Sequence, residues 1–125
     1  MNEKDAQRAI TAAFIAADST MVILVPRIKT TTPAGTPTYT DGTPRVPQTF
    51  KMSLLQYDQR PTITVNGVER LVDYHMIGRH DALIAVGDHW TNAEGSKFEV
   101  VGFSDGFMYE RKAFVIRHVP PTEVL

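Results

Sequence analysis

The chain has 125 residues and a nearly balanced charge, with 13 basic and 14 acidic side chains and a net charge of -1. This balance argues against a dedicated nucleic-acid binder, which usually carries a strong basic excess. The absence of cysteine excludes disulfide bonds, thiolate nucleophiles and cysteine metal ligands. The length indicates one domain, residues 1–125. Because no apolar run reaches membrane-spanning length and no signal-peptide pattern is present, we expect a protein that is used inside a cell, or packed into a particle assembled there, without a membrane partner.

Residues 3–17 have the pattern of an amphipathic helix. Asn2 is a suitable N-cap, and Glu3 and Asp5 suit the positive end of the helix dipole. Apolar side chains recur at spacings of three and four and form one stripe: Ala6, Ala9, Ile10, Ala13, Phe14 and Ala17. Because the stripe is mostly alanine and buries little area, we predict that Ile10 and Phe14 dock on a partner rather than form a core.

The apolar run 21–25 predicts a buried strand that Pro26 ends. Residues 29–48 follow after a short link. These twenty residues include four prolines, two glycines and seven threonines, and they have almost nothing to bury. They predict a long extended loop, which in so small a domain is typically functional or disordered. A floppy hairpin connection is the alternative to a loop ordered by contact with another subunit. The candidate contact residues of this loop are Lys29, Thr30, Thr31, Thr32, Pro33, Tyr39, Asp41, Arg45, Pro47 and Gln48.

The middle of the chain predicts several short strands. Residues 50–54 alternate in polarity, and 62–65 and Val68 flank an Asn66-Gly67 dipeptide that favours a tight hairpin turn. Residues 71–77 predict another strand that ends at Gly78. Residues 81–86 fit either a strand or a short helical turn.

The last third, residues 87–119, predicts a three-stranded antiparallel meander with turns at 92–96 and 104–106 and a long final strand from Met108 to Val119. Six or seven short strands with regularly spaced turns indicate a mainly β fold, a small antiparallel barrel or sandwich, flanked by the one N-terminal helix. The meander supplies the candidate core residues Trp90, Phe98, Val100 and Val115.

Nothing in the sequence marks a catalytic, cofactor or metal site. The nearest candidate metal cluster comprises His75, His80, Asp81, Asp88 and His89, but it lacks any recognised ligand spacing, and we interpret these residues as surface or edge polar groups. No nucleophile motif, phosphate loop or dinucleotide fingerprint is present. The aromatic residues of the C-terminal half fit a core better than a platform for stacking bases.

Three segments resemble the head-to-tail stopper (head-closure) proteins of long-tailed bacteriophages of actinobacteria: Val22-Ile-Leu-Val-Pro-Arg-Ile-Lys-Thr-Thr-Thr-Pro-Ala-Gly35, Asp41-Gly-Thr-Pro-Arg-Val-Pro-Gln-Thr-Phe-Lys51, and the meander with Gly87-Asp-His-Trp90, Phe98-Glu-Val100 and Tyr109-Glu-Arg-Lys-Ala113. The resemblance covers about residues 20–119. It implies a small β-barrel that forms a homo-oligomeric ring of six or twelve copies in the virion, at the head–tail interface, after assembly in the host cytoplasm. It also implies that the ring lies between the portal or adaptor ring and the tail terminator or tail tube, and that it closes the filled head. Genomic DNA would pass through the channel without sequence-specific binding, and the loop 29–48 would reach into the channel or across to the next subunit.

Three other functions stay open at this point. A tail terminator or another neck protein has a similar size, although adaptors are mostly helical. A small oligonucleotide-binding barrel would use the aromatic meander. An enzyme would need a site that the sequence does not reveal.

Overall fold

The structure is a computed structural model that describes residues 3–17, 19–56, 60–65, 67–104 and 110–118. The predicted helix is confirmed: α1 runs from Glu3 to Ala17. The described part is otherwise mainly β, as predicted. Its ten strands are β1 (Thr20–Val22), β2 (Arg27–Thr31), β3 (Pro37–Asp41), β4 (Gln48–Leu54), β5 (Thr62–Val65), β6 (Val68–Leu71), β7 (Tyr74–Arg79), β8 (His89–Thr91), β9 (Lys97–Phe103) and β10 (Glu110–His118).

Six of these strands form one antiparallel sheet that curls into a nearly closed barrel. The strand order is β1-β4-β7-β10-β9-β8. The two ends of the sheet meet just beyond β1, where Val25 and His89 exchange both backbone hydrogen bonds, at 2.9 and 3.0 Å. Closure of this kind removes the exposed strand edges that an open sheet would present to other chains.

The barrel encloses the hydrophobic core. All four residues that the sequence placed in the core are buried: Trp90, Phe98, Val100 and Val115. The Trp90 and Phe98 rings stack with their centroids 5.0 Å apart, and Tyr74 meets Phe98 edge-on at 5.6 Å. Offset and edge-to-face ring pairs add to the energy of area burial, so this aromatic cluster stabilises one end of the barrel.

Two elements cover the outside of the barrel. Helix α1 lies on β4 and β7 and buries Thr11 and Ile15. The two-stranded sheet of β5 and β6 lies over β9, where a side-chain carbon at Gly102 would come within 2.6 Å of Ile63 Cδ1. Gly102 therefore allows the second hairpin to approach the barrel closely.

Several strand predictions need correction. The run 21–25 is a barrel edge and not a fully buried strand, because Val22 and Leu24 are buried while Met21 and Ile23 are exposed. The strand predicted over 71–77 is divided between β6 and β7. Gly78 does not end a strand but lies within β7.

Close packing explains the glycine at position 78, because a side-chain carbon there would come within 2.7 Å of the Phe50 ring. Residues 81–86, which fitted a strand or a helical turn, form neither and are an irregular segment with turns at its ends. The hairpin predicted from 62–65 and Val68 is confirmed as β5 and β6, with its second strand extending to Leu71, and the meander strands are confirmed. The predicted turn at Asn66, most of the turn 104–106, and Met108, Tyr109 and Val119 lie outside the described residues.

Candidate functional site

The segment with the most distinctive shape is a hairpin of residues 27–41, which we call the arm. Strands β2 and β3 pair in register from Arg27 opposite Asp41 to Thr31 opposite Pro37. The sequence predicted an extended loop over 29–48, and this prediction is wrong for the first half, which is regular β-structure. The reason is the threonine content, because β-branched side chains favour strands.

The tip of the arm is held by its own hydrogen bonds. Thr32 N–H donates to Thr36 O at 2.9 Å, and Thr36 N–H donates to Thr32 Oγ1 at 3.1 Å. Gly35 has a φ of 84°, which a residue with a side chain adopts only at a cost. The hydroxyls of Thr30 and Thr38 lie 2.7 Å apart across the hairpin. Hydrogen bonds within the hairpin therefore hold the tip of the arm.

The arm projects from the barrel surface. Each residue of β3 is exposed, as is each residue of β2 except the half-buried Arg27. Two large apolar side chains are exposed on it, Ile28 at 48% and Tyr39 at 55%. Between Ile28 and Thr40 the only charged residue is Lys29. The arm is therefore a nearly uncharged, partly apolar surface.

The segment that follows the arm is tied to the barrel by a buried carboxylate. Asp88 is 1% exposed, and it accepts hydrogen bonds from Arg45 Nε at 2.8 Å, Arg45 NH2 at 3.2 Å and Ala85 N–H at 3.0 Å. The hydrogen bond to Asp88 raises the pKa of the Arg45 guanidinium, although burial acts in the opposite direction. The backbone of Arg45 adds a bond to Leu24 O at 2.8 Å. This segment is consequently the most firmly attached part of the predicted loop.

Both strands of the arm are tied to the barrel at their base. Asp41 Oδ1, at the end of β3, lies 3.0 Å from Nε2 of the buried His89. Arg27 NH2, at the start of β2, lies 3.5 Å from Oε1 of Glu99, and His118 Nε2 lies 2.9 Å from the same oxygen. These contacts fix the direction in which the arm leaves the barrel.

The other predicted contact residues divide into two groups. Asp41, Arg45 and Gln48 face the barrel, and Gln48 binds the backbone of Leu83 through both amide atoms, at 2.8 and 2.9 Å. Their side chains thus anchor the segment, which corrects the expectation that the whole segment is one contact surface. The group that lies on the exposed part comprises Lys29, Thr30, Thr31, Pro33, Tyr39 and Pro47, with Thr32 half-buried at the tip.

The helix presents the predicted apolar stripe to solvent. Ile10 is 62% exposed and Phe14 is 47% exposed, while the neighbouring face with Thr11 and Ile15 packs on the barrel. Lys51 Nζ lies 4.5 Å from the centre of the Phe14 ring. The docking prediction for Ile10 and Phe14 stays a prediction, and their exposure leaves them available for it.

A cleft of about 410 Å³ lies between the arm and the barrel. Lys29 and Tyr39 form its arm side, Glu99 and Val101 of β9 form its floor, and Thr64 of β5 forms the opposite side. The cleft carries charge of both signs, because Arg27 and Glu99 are paired within it. This same pair helps to orient the arm.

The polar cluster considered as a metal site is dispersed in the structure. Asp88 pairs with Arg45 and His89 with Asp41, which makes both of them buried anchors and corrects their interpretation as surface groups. His75 lies on the outside of β7 beside the Phe114 ring. Burial lowers the pKa of His75, and the charge of Lys112 lowers it further. Across the described residues, no group of three or more His, Cys, Asp or Glu side chains is placed to hold a metal ion.

Sequence reasoning did not identify the three anchoring partners Asp88, His89 and Glu99. The pairs Arg45–Asp88 and Asp41–His89 join residues 43 and 48 positions apart, so no local spacing in the sequence predicts them. The sequence offers one signal, which is that Arg27 and Asp41 stand at the two ends of an arm whose only other charged residue is Lys29. Charged groups need partners when they approach a core.

Comparison with known proteins adds no family assignment, since a scan against protein-family models and a search of curated proteins both found no match. In the part of the chain that the structure describes, no helix combines the length and apolar character needed to cross a membrane.

Proposed function

We propose that the chain is a structural virion protein of a phage neck, a head-to-tail stopper that forms a ring between the portal or adaptor and the tail. The single observation that carries the proposal is the arm, an exposed hairpin that is joined at its base to a nearly closed barrel. Within one copy, the polar contacts of Asp41 and Arg27 orient the arm, and the arm buries little apolar area. This arrangement is typical of an element that contacts another chain.

Ring assembly needs two different complementary surfaces on each subunit, because a closed ring is built from head-to-tail contacts. The arm is one exposed surface for such a contact, and the exposed Ile10 and Phe14 of helix α1 leave a further surface for another partner. The barrel itself supplies a compact body with few open edges. These features suit a subunit that binds neighbours through projections.

The charge distribution suits a channel through which DNA slides. Affinity for duplex DNA depends on several phosphate contacts by Lys or Arg. The net charge is -1, and Lys29 is the only exposed basic side chain of the arm. An arm of this composition would line a channel without gripping the backbone.

The burial of the aromatic cluster counts against an oligonucleotide-binding barrel. Trp90 and Phe98 are each 8% exposed, so their faces contact each other and the core. Stacking of bases requires an exposed ring face. A gel-shift assay with single-stranded DNA at moderate salt tests this alternative, and tight binding would contradict our proposal.

The proposal is tested with a shortened arm. Residues 29–39 are replaced by Asn-Gly, which joins Ile28 to Thr40 through a two-residue turn and leaves the anchors at Asp41 and Arg45 in place. We expect the full-length protein to form closed rings in electron micrographs, and the shortened protein to unfold as cooperatively but to stay monomeric. Rings from the shortened protein would contradict a role of the arm in assembly.

The position in the particle separates a stopper from a tail terminator. In a phage that encodes this chain, particles made without it are expected to package DNA and then lose it to added nuclease. If the filled heads retain their DNA and the tails instead grow beyond normal length, the chain is a terminator. If the ring is absent from micrographs of the neck, neither assignment holds.

A further inference from the structure

The register of the arm determines which of its backbone groups are unpaired. Thr32 N–H donates to Thr36 O and Gly42 N–H donates to Pro26 O, so the even-numbered positions of β2 and β3 exchange hydrogen bonds within the arm. In an antiparallel pair the alternate positions direct their N–H and C=O groups outward. The outward positions are therefore Arg27, Lys29 and Thr31 on β2, and Pro37, Tyr39 and Asp41 on β3.

The two edges of the arm differ in their ability to bind another strand. On β3, Pro37 has no N–H to donate, so this edge lacks a donor at one of its outward positions. On β2, Lys29 and Thr31 each present a donor and an acceptor, and β2 pairs with no strand other than β3 in the described structure. The β2 edge therefore has both its donors and its acceptors free, and another extended strand can pair with it.

A second free edge of the same kind lies on the hairpin β5–β6. Val72 N–H donates to Pro61 O, and the register of this hairpin then turns Glu69 and Leu71 of β6 outward. Strand β6 pairs only with β5 in the part of the chain that is described. Val68 is 60% exposed and Leu71 43% exposed beside this edge.

We infer that strand β2 of the arm pairs, antiparallel, with strand β6 of a second copy of this chain, with Lys29 opposite Glu69. This register also sets Arg27 opposite Leu71 of the neighbour, and it brings the exposed Ile28 within diagonal reach of Val68 on the same face. The inference rests on the proposed function, because it names the surface through which the ring subunits meet.

Charge decides between this pairing and its symmetric alternatives. Two β2 edges would bring Lys29 near Lys29 or Arg27 of the other copy, and two β6 edges would bring Glu69 near Glu69. Like charges opposite each other destabilise a strand pair, whereas opposite charges stabilise it. The β2–β6 pairing joins different surfaces on the two copies, and such contacts repeat around a ring instead of ending at a dimer.

Disulfide trapping between single-cysteine proteins tests the inference, because the native chain has no cysteine. Lys29→Cys protein is mixed with Glu69→Cys protein under mild oxidation, so that a link between the two can form only between copies. Directly opposed positions of the hydrogen-bonded type have Cα atoms about 5.5 Å apart, within the range of a disulfide. The matched control replaces Lys29→Cys by Thr40→Cys, which lies on the other strand and the other face of the arm.

We expect the Lys29–Glu69 adduct to exceed the Thr40–Glu69 adduct on the order of tenfold, since a disulfide does not form beyond about 7 Å between Cα atoms. Equal yields, or a dominant Lys29–Lys29 adduct, would overturn the inference. A charge exchange gives a second readout: Lys29→Glu should prevent assembly, and adding Glu69→Lys to the same chain should restore it. Failure of the double variant to recover assembly while it remains folded would also overturn the inference.

The outcomes separate this inference from the proposed function. If rings form and the specific adduct is absent, the neck function stands and the β2–β6 contact is wrong. If the adduct forms but the copies grow into open filaments, the contact stands and the closed ring is wrong.

Discussion

Asp88 offers the sharpest test of how the arm segment is held. The substitution Asp88→Asn keeps the shape of the side chain and removes its charge. In the best orientation its amide oxygen takes the place of Oδ2, which accepts from Arg45 Nε at 2.8 Å and from Ala85 N–H at 3.0 Å. Its NH2 group then faces Arg45 NH2, where the carboxylate had accepted a bond of 3.2 Å. Two donors therefore oppose each other beside a buried site.

The expected loss of stability follows from these contacts. One hydrogen bond to a charged group is lost, a contribution of about 1.5–3 kcal/mol, and the other two weaken because their acceptor becomes a neutral amide oxygen. Arg45 retains 26% exposure of its side chain, so water compensates part of the loss at the guanidinium. We expect the free energy of unfolding to fall by about 2–3 kcal/mol, less than for an ion pair buried on both sides.

Urea denaturation of the two proteins measures this change. The matched control is Asp81→Asn, whose partner Arg79 lies 3.8 Å away with both side chains more than half exposed. A surface pair of this kind contributes about 0–1 kcal/mol, so we expect a change below about 0.5 kcal/mol. Hydrogen exchange of the Arg45 and Gly42 amides should also accelerate in the Asp88 variant. A loss equal to that of the control would refute the reasoning that Asp88 holds this segment.

Three further changes test the core and the outer face of the barrel. Trp90→Ala should lower the free energy of unfolding by about 3–5 kcal/mol in urea, because it leaves a cavity beside a stacked ring; a change near zero would place this side chain outside the core. Gly78→Ala should cost about 1–3 kcal/mol by thermal or urea unfolding, since the new methyl group meets the Phe50 ring, and an unchanged stability would mean that the ring moves aside freely. His75 has a lowered pKa in the folded state, so the unfolded chain binds its proton more readily, and stability that is present above the ordinary histidine pKa of about 6.5 is lost as the pH falls below it. His75→Gln should therefore reduce the loss of stability between neutral and mildly acid pH, measured against His80→Gln as control; an identical pH dependence in both variants would contradict this origin.

The local elements of this protein could be predicted from short stretches of sequence. Helix α1 follows from a capping residue and apolar spacing within fifteen positions. The β5–β6 hairpin follows from a turn dipeptide between two short strands, and the meander from alternation and turns. In each case the energy that selects the conformation comes from neighbours in the chain, so the pattern is visible without the fold.

The face of helix α1 that packs inward was decided by tertiary structure. The sequence shows a stripe that contains Ile10 and Phe14, yet the helix buries Thr11 and Ile15. The helix packs on β4 and β7, and this contact selects the face that is buried. Hydrophobic spacing identifies a helix but does not say which surface its partner occupies.

Composition alone determined that this chain has no disulfide framework and that residues 29–48 are unusual, because counts of Cys, Thr and Pro need no fold to be read. Only the tertiary structure gave the arm its fixed direction. That direction depends on Asp41, Arg45 and Arg27 meeting His89, Asp88 and Glu99, and these partners come from distant positions in the chain that the fold brings together. An ion pair between distant positions cannot be recognised from the sequence, because the two groups interact only after folding has brought them together.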